Sequence, residues 1–294
     1  VQYPNGAWPQ RFSAAPDPAR FPVRKASYPE SWSRTYPGKN YSDYYTFNDN
    51  TIADTITTML EAAEVYQDAR YRAAAERAGD FILLAQMPDP QPAWAQQYDA
   101  EMHPAWARKF EPPAVTGGET QGVLQILMHL YRETGQRKYL EPIPRALDYL
   151  KQSELPGGRL ARFYELQTNR PLYFTKQYEL TYNDDDLPTH YSFQSQSWVD
   201  AFRAQYDRLA AAPREPRQPK SPQRTERVPR LTASLAAEAR AIVAALDERG
   251  AWVEDGRLRY HGEDDPARRI ISSTTFVHHV QKLAQFLAAA ATKH

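Results

Sequence analysis

A chain of 294 residues is long enough for one large closed architecture or two average domains, and size scaling lets it bury about three-quarters of its unfolded surface. Lysine plus arginine (36) balances aspartate plus glutamate (36), so no whole-molecule field points to nucleic acid, and no apolar run approaches the ~20 residues that span a bilayer. With no cysteine there is no disulfide, thiol nucleophile or thiolate metal site.

The first residues, Val1, Gln2, Tyr3 and Pro4, carry neither an initiator methionine nor the basic-then-apolar pattern of a signal peptide, so the expectation is a chain processed or incomplete at its start. From Asn50, the residues Ile52, Ile56, Met59, Leu60 and Ala63 recur every three or four positions and predict a helix, with Asn48, Asp49 and Asn50 as its capping cluster. After a turn at Gln67, Asp68 and Ala69, the same period in Tyr71, Ala75, Ala78 and Ile82 predicts its partner. The pattern returns in Val123, Leu127 and Leu130, a turn through Gly135, and then Tyr139, Ile143, Leu147 and Leu150. Tyr71 aligns with Tyr139, an internal repeat of about 68 residues that signals helical hairpins sharing a core.

The stretch 213–229, with five prolines and many charges, reads as an exposed connector. Beyond it Leu235, Ala239, Ile242, Leu246 and Phe276, Val280, Leu283, Phe286 predict a third pair, with a small hairpin from Ala251, Trp252, Val253 to Leu258, Tyr260 between them. The expected organisation is a helical-hairpin unit over 1–212 that carries the site, the connector, and a C-terminal helical pair over 230–294 packed on the first unit.

Connections within each hairpin are short, whereas those leading into one (1–49, 87–118 and 153–189) are long, and long loops in a compact domain are usually functional. In a stack of hairpins they emerge at one end, which makes one face the expected site. These loops hold Trp8, Trp32, Trp94, Trp106 and many of the 19 tyrosines among clustered polar groups. Apolar faces with polar rims are what a sugar polymer requires, so Trp94, Asp99 and Tyr164 are candidate substrate contacts, although such rings can equally pack beneath long loops.

Five motifs carry a resemblance: Gln2-Tyr3-Pro4-Asn5-Gly6-Ala7-Trp8-Pro9-Gln10; Tyr45-Thr46-Phe47-Asn48-Asp49; Trp94-Ala95-Gln96-Gln97-Tyr98-Asp99; Ala107-Arg108-Lys109-Phe110-Glu111-Pro112-Pro113 followed by Thr116-Gly117-Gly118-Glu119; and Ala161-Arg162-Phe163-Tyr164-Glu165-Leu166-Gln167-Thr168-Asn169-Arg170-Pro171. In this order and spacing, to about Tyr191, the chain resembles the family 10 pectate lyases, the pectic acid lyases. The resemblance implies an all-α incomplete α/α toroid with minor β, and calcium-dependent β-elimination of polygalacturonate. It implies Asp49 as a calcium ligand with Asn48 offering an amide oxygen, Arg108 as the base for the C5 proton, and Arg162 as a clamp on a substrate carboxylate. Lys176 falls near a second clamp arginine of the family, where a planar bidentate donor has become a point charge. In the family a hairpin with an Asp-Asn-Gly calcium motif precedes the segment at Gly6-Ala7-Trp8-Pro9, so the expectation is either a further portion upstream of Val1 or a depleted calcium site. An exported, monomeric enzyme acting on an acidic polysaccharide, with no nucleic acid or membrane partner, is the expectation.

The chemistry is consistent with these residue types. Elimination removes a weakly acidic proton and spreads charge into a carboxylate, which a hard cation and cationic side chains stabilise. An arginine base is demanding, because a guanidinium normally stays charged and needs cationic neighbours to lose its proton. The alternative for Arg108 is an ion pair with Glu111 or Glu119. For Asn48, Asp49 and Asn50 it is helix capping, and for Asp184, Asp185 and Asp186 solvation rather than a cation site. His278 and His279 form no metal-ligand pair, and no phosphate loop or Gly-x-Ser-x-Gly elbow occurs. Two rival functions are a glycoside hydrolase using two of Asp49, Asp99, Glu111 and Glu119, and a non-catalytic protein that only binds acidic oligosaccharide.

Overall fold

The computed structural model describes residues 2–9, 15–211, 230–258 and 266–291. It divides into two compact units, Val1–Ser221 and Pro222–His294. The expected connector at 213–229 lies outside the described residues, as does Tyr260.

The first unit is built on two helical hairpins. Helices α1 (Thr51–Tyr66) and α2 (Ala69–Leu84) bury the expected stripe, Ile52, Ile56 and Leu60 against Ala75, Ala78, Phe81 and Ile82. Gln67 ends α1 in a left-handed conformation, and the Asp68 carboxylate accepts the Arg70 backbone N–H to start α2. The second hairpin, α3 (Gly117–Thr134) and α4 (Ile143–Gln152), turns at left-handed Gly135 and passes through a 3-10 turn at Arg137–Tyr139. Tyr139 joins the hairpins: its hydroxyl donates to the Glu76 carbonyl, and a Cβ at Gly79 would sit 2.6 Å from its ring. Tyr71, its counterpart in the repeat, stays partly exposed beside Tyr66. The repeat therefore preserves the helices but not the role of this tyrosine. Helix α5 (Val199–Ala211), which no expectation covered, packs Phe202, Tyr206 and Leu209 on the same core.

The long connections carry the minor β-structure. Strand β1 (Tyr45–Thr46) pairs antiparallel with β2 (Gln97–Tyr98), Thr46 opposite Gln97. Strands β3 (Ala114–Thr116), β5 (Phe163–Glu165), β6 (Pro171–Phe174) and β7 (Leu180–Thr181) form an antiparallel sheet in that order, and β4 (Arg159–Ala161) pairs with β8 (Gln194–Gln196).

The loop aromatics mostly build core beneath these strands, which corrects two of the expected substrate contacts. Trp94 is fully buried, its Nε1 donating to the Ile82 carbonyl at 2.8 Å. The Tyr164 hydroxyl donates to the Ser153 carbonyl and accepts the Ala161 N–H, leaving the ring 1% exposed. Both polar tips are spent inside the protein, so neither ring has a face for a sugar.

In the second unit, α6 (Ala233–Ala244) and α7 (Ser273–Ala291) pair as expected, with Ala239 and Ile242 buried. Strand β9 (Glu254–Asp255) pairs with β10 (Arg269–Ile270), so the expected pairing to Leu258 is not the one formed. Trp252 lies over His279 and donates to the Ile242 carbonyl, whereas Phe276 and Val280 of the expected apolar face are exposed.

Candidate active site

The chain reaches the candidate site first at Asn48–Asn50. Asp49 and Asn50 are both left-handed (φ +52° and +58°), a conformation that short polar side chains tolerate best. Neither they nor Asn48 makes a side-chain cap bond to α1, so the expected capping alternative does not describe this cluster. The β1–β2 pairing instead sets it beside Gln96 and Gln97, with the Phe47 N–H on the Gln96 carbonyl at 2.8 Å.

The segment 106–111 supplies the second part. Backbone bonds from Ala107 N–H to the Glu111 carbonyl and from Glu111 N–H to the Arg108 carbonyl close it into a tight turn. Arg108 grips Glu111 with its backbone N–H (3.0 Å), Nε (2.8 Å) and Nη2 (2.5 Å). The Glu111 carboxylate, 1% exposed, also accepts from Gln96 Nε2 (2.6 Å) and Tyr191 Oη (3.1 Å). Burial opposes its ionisation, but the Arg108 bonds and charge outweigh this and hold the carboxyl below its ordinary 4.5. Reciprocally, the Glu111 bonds and charge raise the Arg108 guanidinium still further, against partial burial. The ion pair offered as the alternative for Arg108 is thus present.

The third part is Arg162, between β4 and β5. A Cβ at Gly117 would stand 2.4 Å from the Ala161 carbonyl, so this glycine admits the strand pair against the start of α3. Arg162 Nη2 then meets Glu119 Oε1 at 3.0 Å. Burial raises the Glu119 carboxyl more than the Arg162 charge lowers it, the reverse of Glu111, which has five donors. The Arg162 guanidinium lies 4.4 Å from the centre of the Tyr191 ring and that of Arg108 5.7 Å, so one tyrosine faces both cations. Asp49 and Arg108 line one cavity of about 330 Å³ with Asn48, Gln96, Gln97 and Glu111. Residues 49, 108 and 162, remote in sequence, therefore meet in one neighbourhood.

The donor set of that cavity fits a hard cation. Calcium takes roughly six to eight oxygens from carboxylates, amide carbonyls and water. Asn48 Oδ1, Gln96 Oε1 and Gln97 Oε1 are buried with no hydrogen-bond partner, and the Asp49 carboxylate lies beside them. Among the described residues no three His, Cys, Asp or Glu cluster as a metal site, so the set is one of amides around few charges.

The remaining candidates lie elsewhere. Asp99 closes its own turn by accepting the Glu101 and His103 N–H groups. Lys176 is exposed and paired with Asp186 at 3.0 Å. Asp184 and Asp185 bond Gln194 and Asn183, so the acidic triplet is engaged within the protein. Sequence reasoning missed Gln96 and Gln97 as oxygen donors and Tyr191 altogether. Strand alternation beside an aromatic run was a signal for the glutamines, while nothing local marked Tyr191.

A pH prediction follows from Glu111. Its folded-state pKa is depressed, so the stability it contributes is present above the unfolded value near 4.5 and is lost as pH falls through the lower folded value. Glu111→Gln is expected to cost about 2 kcal/mol at pH 7. The gap to the wild type should close in thermal melts as acid is added below 4.5; melting curves that stay parallel down to pH 3 would contradict this account.

The cavity thus sets oxygen donors beside Arg108, with Arg162 facing the same tyrosine ring, in long loops carried on helical hairpins. Residues 1–131 match the family model described as pectic acid lyase, the family that the motifs led us to expect. No curated protein matches the chain. Among solved structures it is similar to the family 10 polysaccharide lyase from Cellvibrio cellulosa, with 22% identity, a TM-score of 0.50, and 72% of this chain and 69% of that one covered. A point mutant of the same description, in complex with trigalacturonic acid, matches with 22% identity, a TM-score of 0.51, and 71% and 69% coverage. At that identity the likeness speaks to the fold.

Proposed function

We propose that this protein is an exported, calcium-dependent lyase that cleaves polygalacturonate by β-elimination, with its hairpins forming an incomplete α/α toroid. The observation that carries the reading is the cavity shared by Asp49, three unpartnered amide oxygens and Arg108. The trigalacturonic acid held by the structural relative supports the substrate class. A polymer of this kind cannot cross a membrane, so the reaction belongs outside the cytoplasm.

Asp49 and the amide oxygens of Asn48, Gln96 and Gln97 would hold calcium, which when bound supplies Lewis-acid neutralisation of a substrate carboxylate. Arg162 keeps the edge not spent on Glu119 for such a carboxylate. In the elimination the C5–H bond breaks, its electron pair becomes the C4–C5 double bond, and the C4–O bond to the departing sugar opens, that oxygen taking a proton from water. Arg108 accepts the C5 proton. It must first leave Glu111, whose ion pair keeps it protonated, and release its own proton to water; Arg162, facing the same tyrosine, favours that loss by disfavouring a second cation beside it. The same ion pair favours a second reading, in which Arg108 stays a cation and stabilises the developing carboxylate charge while hydroxide takes the proton.

The test is the product. Incubation with polygalacturonate and calcium is expected to raise ultraviolet absorbance as unsaturated ends form. New reducing ends without absorbance would indicate hydrolysis by two carboxylates instead, and binding with no new ends a non-catalytic protein.

A further inference from the structure

The turn 106–111 has two sides. Ala107, Arg108 and Glu111 line the cavity of the candidate site, whereas Trp106 and Lys109 line a second cavity of about 700 Å³. Its wall is aromatic and fixed: Trp106 Nε1 donates to the Ser33 carbonyl at 2.8 Å, and its ring meets the edges of Tyr36 (5.8 Å) and Phe174 (6.0 Å). Tyr36 remains 38% exposed. On the other side the Lys109 ammonium lies 3.6 Å from the centre of the Tyr178 ring, and Tyr178 stacks on Phe110 of the same turn. Lys109 is exposed and, among the described residues, has no carboxylate partner, unlike Arg34 on the same wall, which is held by buried Glu165. Glu179 is the carboxylate in this lining.

An unpaired cation, an exposed ring and a carboxylate acceptor together suit one chemical unit: a pyranose with an apolar C–H face, hydroxyls and an acid group. We propose that this second cavity is a distal subsite for a uronate residue of the chain cleaved in the first. In it Lys109, held over the Tyr178 ring, receives the carboxylate, Tyr36 flanks the sugar ring, and Glu179 accepts hydroxyls. The 106–111 turn contributes residues to both linings, so a polymer bound at Arg108 would pass along this turn to reach the second cavity. Specificity for acidic over neutral polymer is thereby read away from the reacting bond, where it affects binding and not chemistry. This inference rests on the uronide reading of the first cavity.

The experiment is calorimetric titration, in calcium, of the full chain in an Arg108→Ala background, which leaves the hexamer uncleaved and is wild type at Lys109 and Tyr36, with saturated digalacturonate, saturated hexagalacturonate and a neutral hexasaccharide. The wild type is expected to bind the uronate hexamer most tightly and the neutral one least. Lys109→Gln should weaken the hexamer about fivefold and Lys109→Gln with Tyr36→Ala about tenfold, with the dimer unchanged and Lys109→Arg close to the wild type. Loss shared equally by dimer and hexamer, no loss with either, or equal wild-type affinity for the neutral sugar would each overturn the subsite. Since affinity is read without turnover, absence of unsaturated product with Arg108 intact would remove the elimination mechanism and leave a length-dependent Lys109 effect standing.

Discussion

Arg108→Ala is expected to lower turnover of polygalacturonate about a thousandfold, within the range for loss of a positioned general base, while oligogalacturonate affinity changes little. The interaction removed is one made mainly in the transition state. A structural loss accompanies it, because Glu111 is buried and keeps only Gln96, Tyr191 and the residue-108 backbone N–H as donors. The double variant Arg108→Ala with Glu111→Gln separates the effects: it should regain thermal stability relative to Arg108→Ala and no activity. If activity returned with stability, Arg108 would be holding its turn and nothing more. Added amines divide the two chemical readings. For a base, rescue of Arg108→Ala grows with the neutral amine and so with pH, whereas for a charge stabiliser it follows the cation and falls as pH rises through the amine's pKa.

Calcium removal is expected to have the second largest effect. Chelation should abolish turnover and leave the circular-dichroism spectrum intact, since the core of the first unit is made by its own hairpins and loop aromatics. Asp49→Ala should weaken terbium luminescence titrations at least tenfold, one carboxylate having been removed from a cavity with few charges. Full turnover in chelator, or undiminished terbium affinity in the variant, would take the metal out of the account.

The sequence by itself determined the helices and their pairing. Apolar residues such as Ile52, Ile56 and Leu60 repeat at the period of one helix face, and Gln67, Asp68 and Gly135 end or start helices through their own backbone and side-chain preferences. Those are local properties. The ordered motifs likewise marked residues 49, 108 and 162 as worth watching, because their linear order survives without any knowledge of contacts.

Only the tertiary structure decided what each loop residue does. Trp94 and Tyr164 looked like sugar platforms, since an aromatic beside polar residues reads the same whether its tip meets solvent or a backbone carbonyl. Folding gave them the Ile82 and Ser153 carbonyls. Glu111 and Glu119 differ little in sequence context, yet five donors hold one ionised and burial raises the other. Tyr191 carried no local signal, because its importance lies in facing two arginines from distant segments. Burial, pairing and the field at a charge are sums over neighbours brought together by folding, and residue spacing along the chain does not encode them.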